Sequence, residues 1–120
     1  MPPLQRPRFC LIVEDEPRVG LDLADALDTA GFFVAGPLTS GQAALDWLAR
    51  FTPDVAIVDP VLKDGTYAEL LGTLQEREIP VVIHSTQGLS EHLLPVLGGI
   101  WMQWPYALSD MINLLVGLLS

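Results

Sequence analysis

Acidic residues follow two apolar runs of this chain at the points where each run ends. Glu14-Asp15-Glu16 comes directly after residues 9–13, and Asp59 comes directly after residues 55–58. If both runs are parallel central strands, these carboxylates converge at the carboxyl edge of the sheet, where sites form in open α/β sheets. Carboxylates gathered there repel one another unless a cation is present. The sequence therefore predicts a site for a hard divalent metal ion and chemistry on an acid.

The segments that must position these acids alternate between strand-like and helix-like patterns. Strands are predicted at residues 9–13, 32–35, 55–58, 81–84 and 100–103. Helices are predicted from Pro17 to about residue 30, over about 40–50 with Ser40 as its cap, over about 66–77, and over 109–119. A further helix after Ser90 is expected to be short or distorted, because Pro95 lies inside it. This alternation predicts a parallel sheet with helices on both faces, joined by right-handed crossovers.

The spacing of apolar residues predicts which face each helix buries. Gly31 is a suitable stop for the first helix, and Cys10, inside an apolar run, is expected to be a small buried hydrophobe. The residues expected to face inward are Val19, Leu23, Leu27 and Ala30, then Ala44, Leu48 and Phe51, then Leu70, Leu71 and Leu74.

Length and charge restrict the class of protein. The 120 residues suggest one domain, residues 9–120, preceded by a proline-containing arm, residues 1–8, that we expect to be disordered. The formal net charge of −9, with six Lys plus Arg, argues against nucleic acid or an anionic membrane as a direct partner. The sequence shows no secretory signal and no run long enough for a membrane helix. We therefore expect a cytoplasmic protein.

Further motifs extend the acidic pattern over nearly the whole chain. Lys63-Asp64-Gly65 forms a turn after Asp59, Ser85 lies five residues after Pro80, and Trp101 and Trp104-Pro105-Tyr106 follow. In this order and spacing, the motifs resemble those of the response regulator receiver domain of two-component signalling. The resemblance implies a flavodoxin-like, doubly wound α/β fold, with a five-stranded parallel sheet of (βα)5 type and strand order 2-1-3-4-5.

The resemblance also implies roles for individual residues. Glu14, Asp15, Asp59 and the backbone carbonyl of Val61 would bind Mg²⁺. Asp59 would accept a phosphoryl group from a histidine kinase or a histidine phosphotransfer protein, and a carboxylate is a competent acceptor. Ser85 would contact the phosphoryl group. Trp101 matches the aromatic switch position of the family.

Trp104 departs from the family pattern, which has a lysine at this position. An indole N–H is a single neutral donor, and a hydrogen bond to a charged group contributes roughly 1.5–3 kcal/mol. Its loss would slow phosphorylation and uncouple it from the output surface. Lys63, in a neighbouring loop, is an alternative source of the cation.

The last predicted helix, residues 109–119, is apolar almost all round. A surface helix usually has a polar face, and a large exposed apolar patch usually marks an interface. We therefore expect the region 90–119 to bind a second copy of the chain or another protein. The alternative is an excised domain whose output domain would otherwise cover this face.

Other interpretations remain open. The chain could be a degenerate receiver that acts as a phosphorylation-independent binding or dimerisation module, or, less consistently with the spacing, a phosphohydrolase suggested by Asp64-Gly65-Thr66. The residues 14–16 could cap a helix, Trp104 is favoured as a core or interface aromatic, and the lone His84 and His92 are favoured as structural or solvated. We expect no enzyme activity beyond self-catalysed phosphoryl transfer and dephosphorylation.

Overall fold

The structure is a computed structural model, and it describes residues 7–86 and 100–120. The predicted helix after Ser90, His92 and the first six residues of the predicted arm lie outside the described residues. The described chain contains five strands and four helices. The strands are β1 (Phe9–Val13), β2 (Phe33–Leu38), β3 (Val55–Val58), β4 (Val81–Ser85) and β5 (Ile100–Gln103). The helices are α1 (Pro17–Thr29), α2 (Gly41–Leu48), α3 (Tyr67–Glu76) and α4 (Leu108–Leu119).

The strands form one parallel sheet in the order β2-β1-β3-β4-β5, which confirms the predicted fold class and topology. β1 and β3 lie next to each other inside the sheet, and their last residues, Val13 and Val58, are register partners. The acidic residues that follow both strands therefore leave the sheet at the same edge, as the sequence predicts.

Side-chain alternation along the strands divides the core into two layers. Leu11, Val13, Val58 and Ile83 belong to the layer covered by α2 and α3. Cys10, Ile12, Ile57 and Val82 belong to the layer covered by α1 and α4. The central strands are apolar on both faces because both faces are covered. Cys10 is fully buried, as predicted.

Most helix positions face as predicted, and two do not. Ala30 is exposed because α1 ends at Thr29, and Gly31 follows with a φ of 97°. Phe51 is 53% exposed because α2 ends at Leu48, so the helical period no longer sets its direction. Its carbonyl accepts from the Arg77 guanidinium, while its ring packs on Trp47 at a centroid distance of 5.2 Å.

The second strand is longer than its apolar run suggests. It continues through Gly36 and Pro37 to Leu38, with a register shift against β1 between Leu11 and Val13. Gly36 has a φ of 109°, and a Cβ at this position would lie 2.6 Å from the Ile12 carbonyl oxygen. Glycine is therefore required where β2 passes close to β1.

The start of the described chain is held against the sheet. The Arg8 carbonyl accepts from the Phe33 N–H at 2.9 Å, and the Arg8 guanidinium lies 3.6 Å from the Asp54 carboxylate. Arg8 belongs to the predicted arm, and these contacts tie it to the amino ends of β2 and β3.

Helix α4 has a polar face that the sequence pattern did not reveal. Met111 and Leu115 are buried, and its remaining large apolar residues are half-buried, all but Ile112 of them against the α1 layer. Its exposed positions are Ser109, Asp110, Asn113 and Gly117. The expectation of an apolar surface all round this helix is therefore wrong for α4. The large apolar side chains that are exposed in the described chain are Phe9, Leu21, Phe33, Phe51, Val61 and Ile100.

None of the helices within residues 7–86 and 100–120 has the length and apolarity needed to cross a bilayer.

Candidate functional site

The backbone at the carboxyl edge of the sheet fixes where the acidic residues start. The Glu14 N–H donates to the Leu38 carbonyl at 2.9 Å, and the Asp59 N–H donates to the Val13 carbonyl at 3.0 Å. The backbone bonds of the sheet thus continue one residue beyond β1, at Glu14, and one residue beyond β3, at Asp59. Because these bonds fix both Cα positions, the Glu14 and Asp59 side chains leave the sheet as neighbours.

Three carboxylates meet at this edge. Glu14, Asp15 and Asp59 each bring one oxygen within 4.8 Å of the others. Glu14 is 1% exposed and Asp59 is 2% exposed, whereas Asp15 is half-buried. The structure therefore brings together all three predicted carboxylate ligands, and Asp15 provides the side that faces solvent.

Burial is the main cause of an unusual pKa at Asp59. Loss of solvent around its carboxyl, the largest cause, and the neighbouring Glu14 carboxylate together raise the pKa of Asp59 to about 7 from an ordinary value of 3.8. Two donors act in the opposite direction. The Val61 N–H donates to Asp59 Oδ1 at 2.8 Å, and the Thr86 hydroxyl donates to Asp59 Oδ2 at 3.1 Å.

The hydroxyl that reaches Asp59 belongs to Thr86, which sequence reasoning missed. Ser85, the predicted phosphoryl contact, is the fully buried last residue of β4. Its carbonyl accepts from the Trp104 N–H at 2.7 Å and from the Gln103 side-chain amide at 3.2 Å. The role of Ser85 remains a prediction. The signal for Thr86 was present in the sequence, since two hydroxyl residues in a row end β4.

The loop after β3 is anchored on the site by backbone contacts. The N–H of Lys63 donates to Asp15 Oδ2 at 3.2 Å, and the Lys63 side chain is exposed. Lys63 therefore contacts the acidic cluster through its backbone. Val61, the predicted carbonyl ligand, is 38% exposed, and its N–H is the group that contacts Asp59.

Asp64 fixes the far side of this loop. Its carboxylate accepts from the N–H groups of Gly41 and Gln42 at the start of α2, and from the Thr66 hydroxyl at 2.8 Å. The Gln42 N–H is the main cause of the lowered pKa of Asp64. The loop lies so close to α2 that a Cβ on Gly41 would overlap the Thr66 hydroxyl. Asp64 thus stabilises a helix start and a turn, which is a different role from the nucleophile of a phosphohydrolase.

The residues at the site fit a hard divalent cation. Within the described chain, Oε2 of Glu14 is a buried carboxylate oxygen without a hydrogen-bond partner. A buried carboxylate oxygen is costly unless a donor or a cation is close. Three carboxylates within reach of one ion supply the oxygen ligands that Mg²⁺ prefers.

Trp104 lies in an aromatic cluster on the α1 side of the sheet. Its ring makes edge contacts with His84 at a centroid distance of 5.6 Å and with Tyr106 at 5.1 Å. His84 is fully buried in β4 and lies 3.1 Å from Glu14, a contact that sequence reasoning missed. Strand alternation could have found it, because His84 shares its face with Val82. Trp101 is half-buried and packs on the opposite layer.

The model of the Response regulator receiver domain matches residues 10–98, which is most of the chain. The chain belongs to the response regulator receiver domain family. Receiver domains are signalling modules of two-component systems and are generally not enzymes, and the family implies a histidine kinase as partner.

Solved receiver structures share the fold. A response regulator receiver protein from Sinorhizobium medicae superimposes with a TM-score of 0.83 at 21% identity, covering 94% of each chain. One from Burkholderia phymatum gives a TM-score of 0.81 at 22% identity, covering 93% of this chain and 94% of that one. At such identities the likeness supports the flavodoxin-like receiver fold alone.

A curated relative is longer than this chain. The transcriptional regulatory protein PdtaR of Mycobacterium tuberculosis is 27% identical over 110 residues, covering 88% of this chain and 54% of that protein. The chain thus spans about half the length of the curated relatives that it matches.

Proposed function

We propose that this receiver domain accepts a phosphoryl group on Asp59, with Mg²⁺ bound beside it, and that phosphorylation switches a protein-interaction surface. The donor is a histidine kinase or a histidine phosphotransfer protein, and the location is the cytoplasm, which is typical of the family. The observation that carries the proposal is the position of Asp59. It is the carboxylate that shares the acidic cluster with Glu14 and Asp15 and also accepts two hydrogen bonds from neighbouring groups.

The reaction needs a positioned carboxylate more than covalent assistance from other residues. An ionised Asp59 oxygen attacks phosphorus, the bond between phosphorus and the imidazole nitrogen of the donor breaks, and that nitrogen keeps the electron pair. The Val61 N–H and the Thr86 hydroxyl hold the carboxylate in orientation. These donors remain close to the transferred group after the reaction and can stabilise its charge.

A cation would be held by Glu14, Asp15, Asp59 and the Val61 carbonyl. When bound, Mg²⁺ would neutralise the negative charge on the phosphoryl oxygens. It would also favour the charged form of Asp59, whose pKa is raised to about 7 mainly by burial and also by the Glu14 carboxylate, so more of Asp59 would be ionised at neutral pH. Self-catalysed dephosphorylation would use the same groups with water as the acceptor.

The direct test is intact mass spectrometry after incubation with acetyl phosphate and Mg²⁺. The expected result is a phosphoryl adduct in the natural protein that is absent from Asp59→Asn and from samples with excess chelator. Asp64→Asn is the matched control, because Asp64 lies on the adjacent loop and accepts hydrogen bonds from α2. An unmodified protein under conditions that modify other receivers would overturn the proposal.

The proposed interaction surface is the region 90–119, which binds a second copy or another protein. Its described part includes Ile100, 38% exposed on the edge strand β5, and the polar positions of α4. Trp101 in β5 and Trp104 directly after β5 pack on opposite layers, so this region contacts both cores. Light scattering before and after phosphorylation tests the homodimer, and a monomer at high micromolar concentration in both states would contradict it.

A further inference from the structure

Two buried side chains and one half-buried side chain form a row of contacts that the proposed phosphoryl transfer does not use. His84 Nε2 lies 3.1 Å from Glu14 Oε2, and His84 Nδ1 lies 2.6 Å from the Tyr106 hydroxyl. His84 is fully buried, Glu14 is 1% exposed, and Tyr106 is half-buried. The row runs from the acidic cluster, across β4, to the segment that joins β5 to α4.

The two neighbours of His84 decide where the ring proton must lie. A carboxylate oxygen only accepts, so the nitrogen that faces Glu14 has to carry a hydrogen. With Nε2 protonated, its hydrogen faces Glu14 Oε2, and Nδ1 is left to hydrogen-bond with the Tyr106 hydroxyl at 2.6 Å. The opposite tautomer would point the Nε2 lone pair at a carboxylate in a site without solvent, which is unfavourable. The hydrogen position thus follows from the network.

Glu14 needs such a donor. Its Oε1 accepts from the Glu16 N–H at 2.9 Å, where α1 begins, and this bond restricts rotation of the carboxylate. Its Oε2 then faces His84, but the ring N–H and this oxygen are not aligned as a hydrogen bond, and neither atom has another partner among the described residues. If the two groups align, the ring N–H satisfies Oε2, and the remaining lone pairs of the carboxylate stay available to a cation.

We propose that His84 is a positioning residue of the acidic site, which holds the Glu14 carboxylate through Nε2–H while Tyr106 holds the ring. This inference rests on the proposed function, since it concerns the same metal site. Groups that orient a metal-binding carboxylate commonly change metal affinity by roughly 10- to 100-fold when they are removed. Through its contacts with Glu14 and Tyr106, His84 also connects the site to the β5–α4 segment, where Trp104 replaces the lysine of the family.

Two substitutions separate hydrogen bonding from space filling. His84→Leu introduces an apolar side chain of similar size and removes the contacts with Glu14 and Tyr106. His84→Gln keeps a donor for Glu14 and an acceptor for Tyr106. We expect His84→Leu to weaken Mg²⁺ binding by roughly tenfold, and His84→Gln to stay within about threefold of the natural protein, since a neutral amide preserves one ordinary hydrogen bond. The readout is an NMR titration with MgCl₂, followed at the Glu16 amide.

Tyr106→Phe tests the second contact. Without the hydroxyl, the ring of His84 is less restricted, so we expect Mg²⁺ binding weakened by a factor of about three. Tyr67→Phe is the matched control, because Tyr67 is half-buried in the opposite core layer. In the His84→Leu background, Tyr106→Phe should cause no further loss, since the row of contacts is already broken.

A spectroscopic readout tests the row of contacts itself. On addition of Mg²⁺, the indole N–H signal of Trp104 should shift in the natural protein and much less in His84→Leu. The ¹⁵N spectrum of His84, assigned by its loss in His84→Gln, should show a hydrogen on Nε2. An unprotonated Nε2 in the natural protein overturns the inference even if His84→Leu does not fold.

The remaining outcomes distinguish this inference from the proposed function. If the natural protein binds no Mg²⁺, the metal site of the proposed function fails. If it binds Mg²⁺ and both His84 variants bind equally well, the positioning role alone fails. If both variants bind Mg²⁺ more weakly and to the same extent, the packing of the His84 ring matters and its hydrogen bonds do not. The positioning role then fails as well.

Discussion

Asp59 titrates differently in the folded and unfolded chain, and this difference gives a pH dependence. Its carboxyl keeps the proton to about pH 7 when folded, against an ordinary value of 3.8. Between these values the folded state binds more protons, so stability of the metal-free protein should fall as pH rises. Chemical denaturation in chelator between pH 4.5 and 7.5 measures this. Asp59→Asn should flatten the dependence of the free energy of unfolding on pH. An equal dependence in both proteins would refute the raised pKa of Asp59.

Thr86 and Ser85 offer a matched comparison of neighbouring hydroxyls. The hydrogen bond from the Thr86 hydroxyl to Asp59 Oδ2 lowers the pKa of Asp59. Thr86→Ala removes this donor, so the pKa of Asp59 should rise in the variant. Ser85→Ala should leave the pKa of Asp59 closer to that of the natural protein. Carboxyl ¹³C shifts followed against pH report both. A rise in Ser85→Ala alone would show that Ser85 provides the contact, as the family motif implies.

Some site residues were readable from the sequence, and others depended on side-chain direction. Glu14, Asp15 and Asp59 could be placed because they follow apolar strands whose ends meet. The contact between His84 and Glu14 was missed because a lone histidine in an apolar run favours a structural role, and strand alternation places its side chain on a face without naming its partner. Thr86 was missed because the motif points to Ser85, one residue earlier, and a one-residue difference at a strand end reverses the side chain.

At the scale of elements, Asp64 connects the loop after β3 to the start of α2. Asp64→Ala removes acceptors for the Gly41 and Gln42 N–H groups and for Thr66, and should lower the melting temperature by roughly 2–5 °C. Because the pKa of Asp64 is lowered in the folded state, the stability that its carboxylate contributes is present at neutral pH. It is lost as pH falls through the pKa of the folded state. Circular dichroism melts measure both effects.

Asp46→Ala is the control for that experiment. The Asp46 carboxylate accepts from the Gln42 side-chain amide on the surface of α2, a contact that contributes little. Similar melting temperatures for Asp64→Ala and Asp46→Ala would show that the link between loop and helix is not important for stability.

Element bounds were predictable where hydrophobic runs were unambiguous. β1, β3 and β5 have the predicted bounds because each is a short apolar run between polar or turn residues. β2 was predicted too short because Gly36-Pro37 looks like a turn, although the backbone continues beside β1. For α4, the number of apolar residues overstated how apolar its exposed surface is. The exposed positions form a stripe of small and polar residues, and the apolar residues on either side are half-buried.

At the scale of the whole molecule, a cation that binds only the folded state should stabilise it. Mg²⁺ at roughly 100 times its Kd would add about 2.7 kcal/mol to the free energy of unfolding and raise the melting temperature by on the order of 10 °C. The chain carries a net charge of −9, so general screening also contributes, and KCl at equal ionic strength is the control. Asp59→Asn should lose most of the Mg²⁺-specific rise. An equal rise with KCl would contradict a specific site.

The fold places its single cysteine where reagents do not reach it. Cys10 is fully buried in β1, between β2 and β3, and burial raises the pKa of its thiol. Alkylation therefore requires that the sheet opens around β1, and the labelling rate without denaturant reports the free energy of that opening. The protein thus contains one chemical probe of its own core, which can be read by mass in the same samples that carry or lack a phosphoryl group.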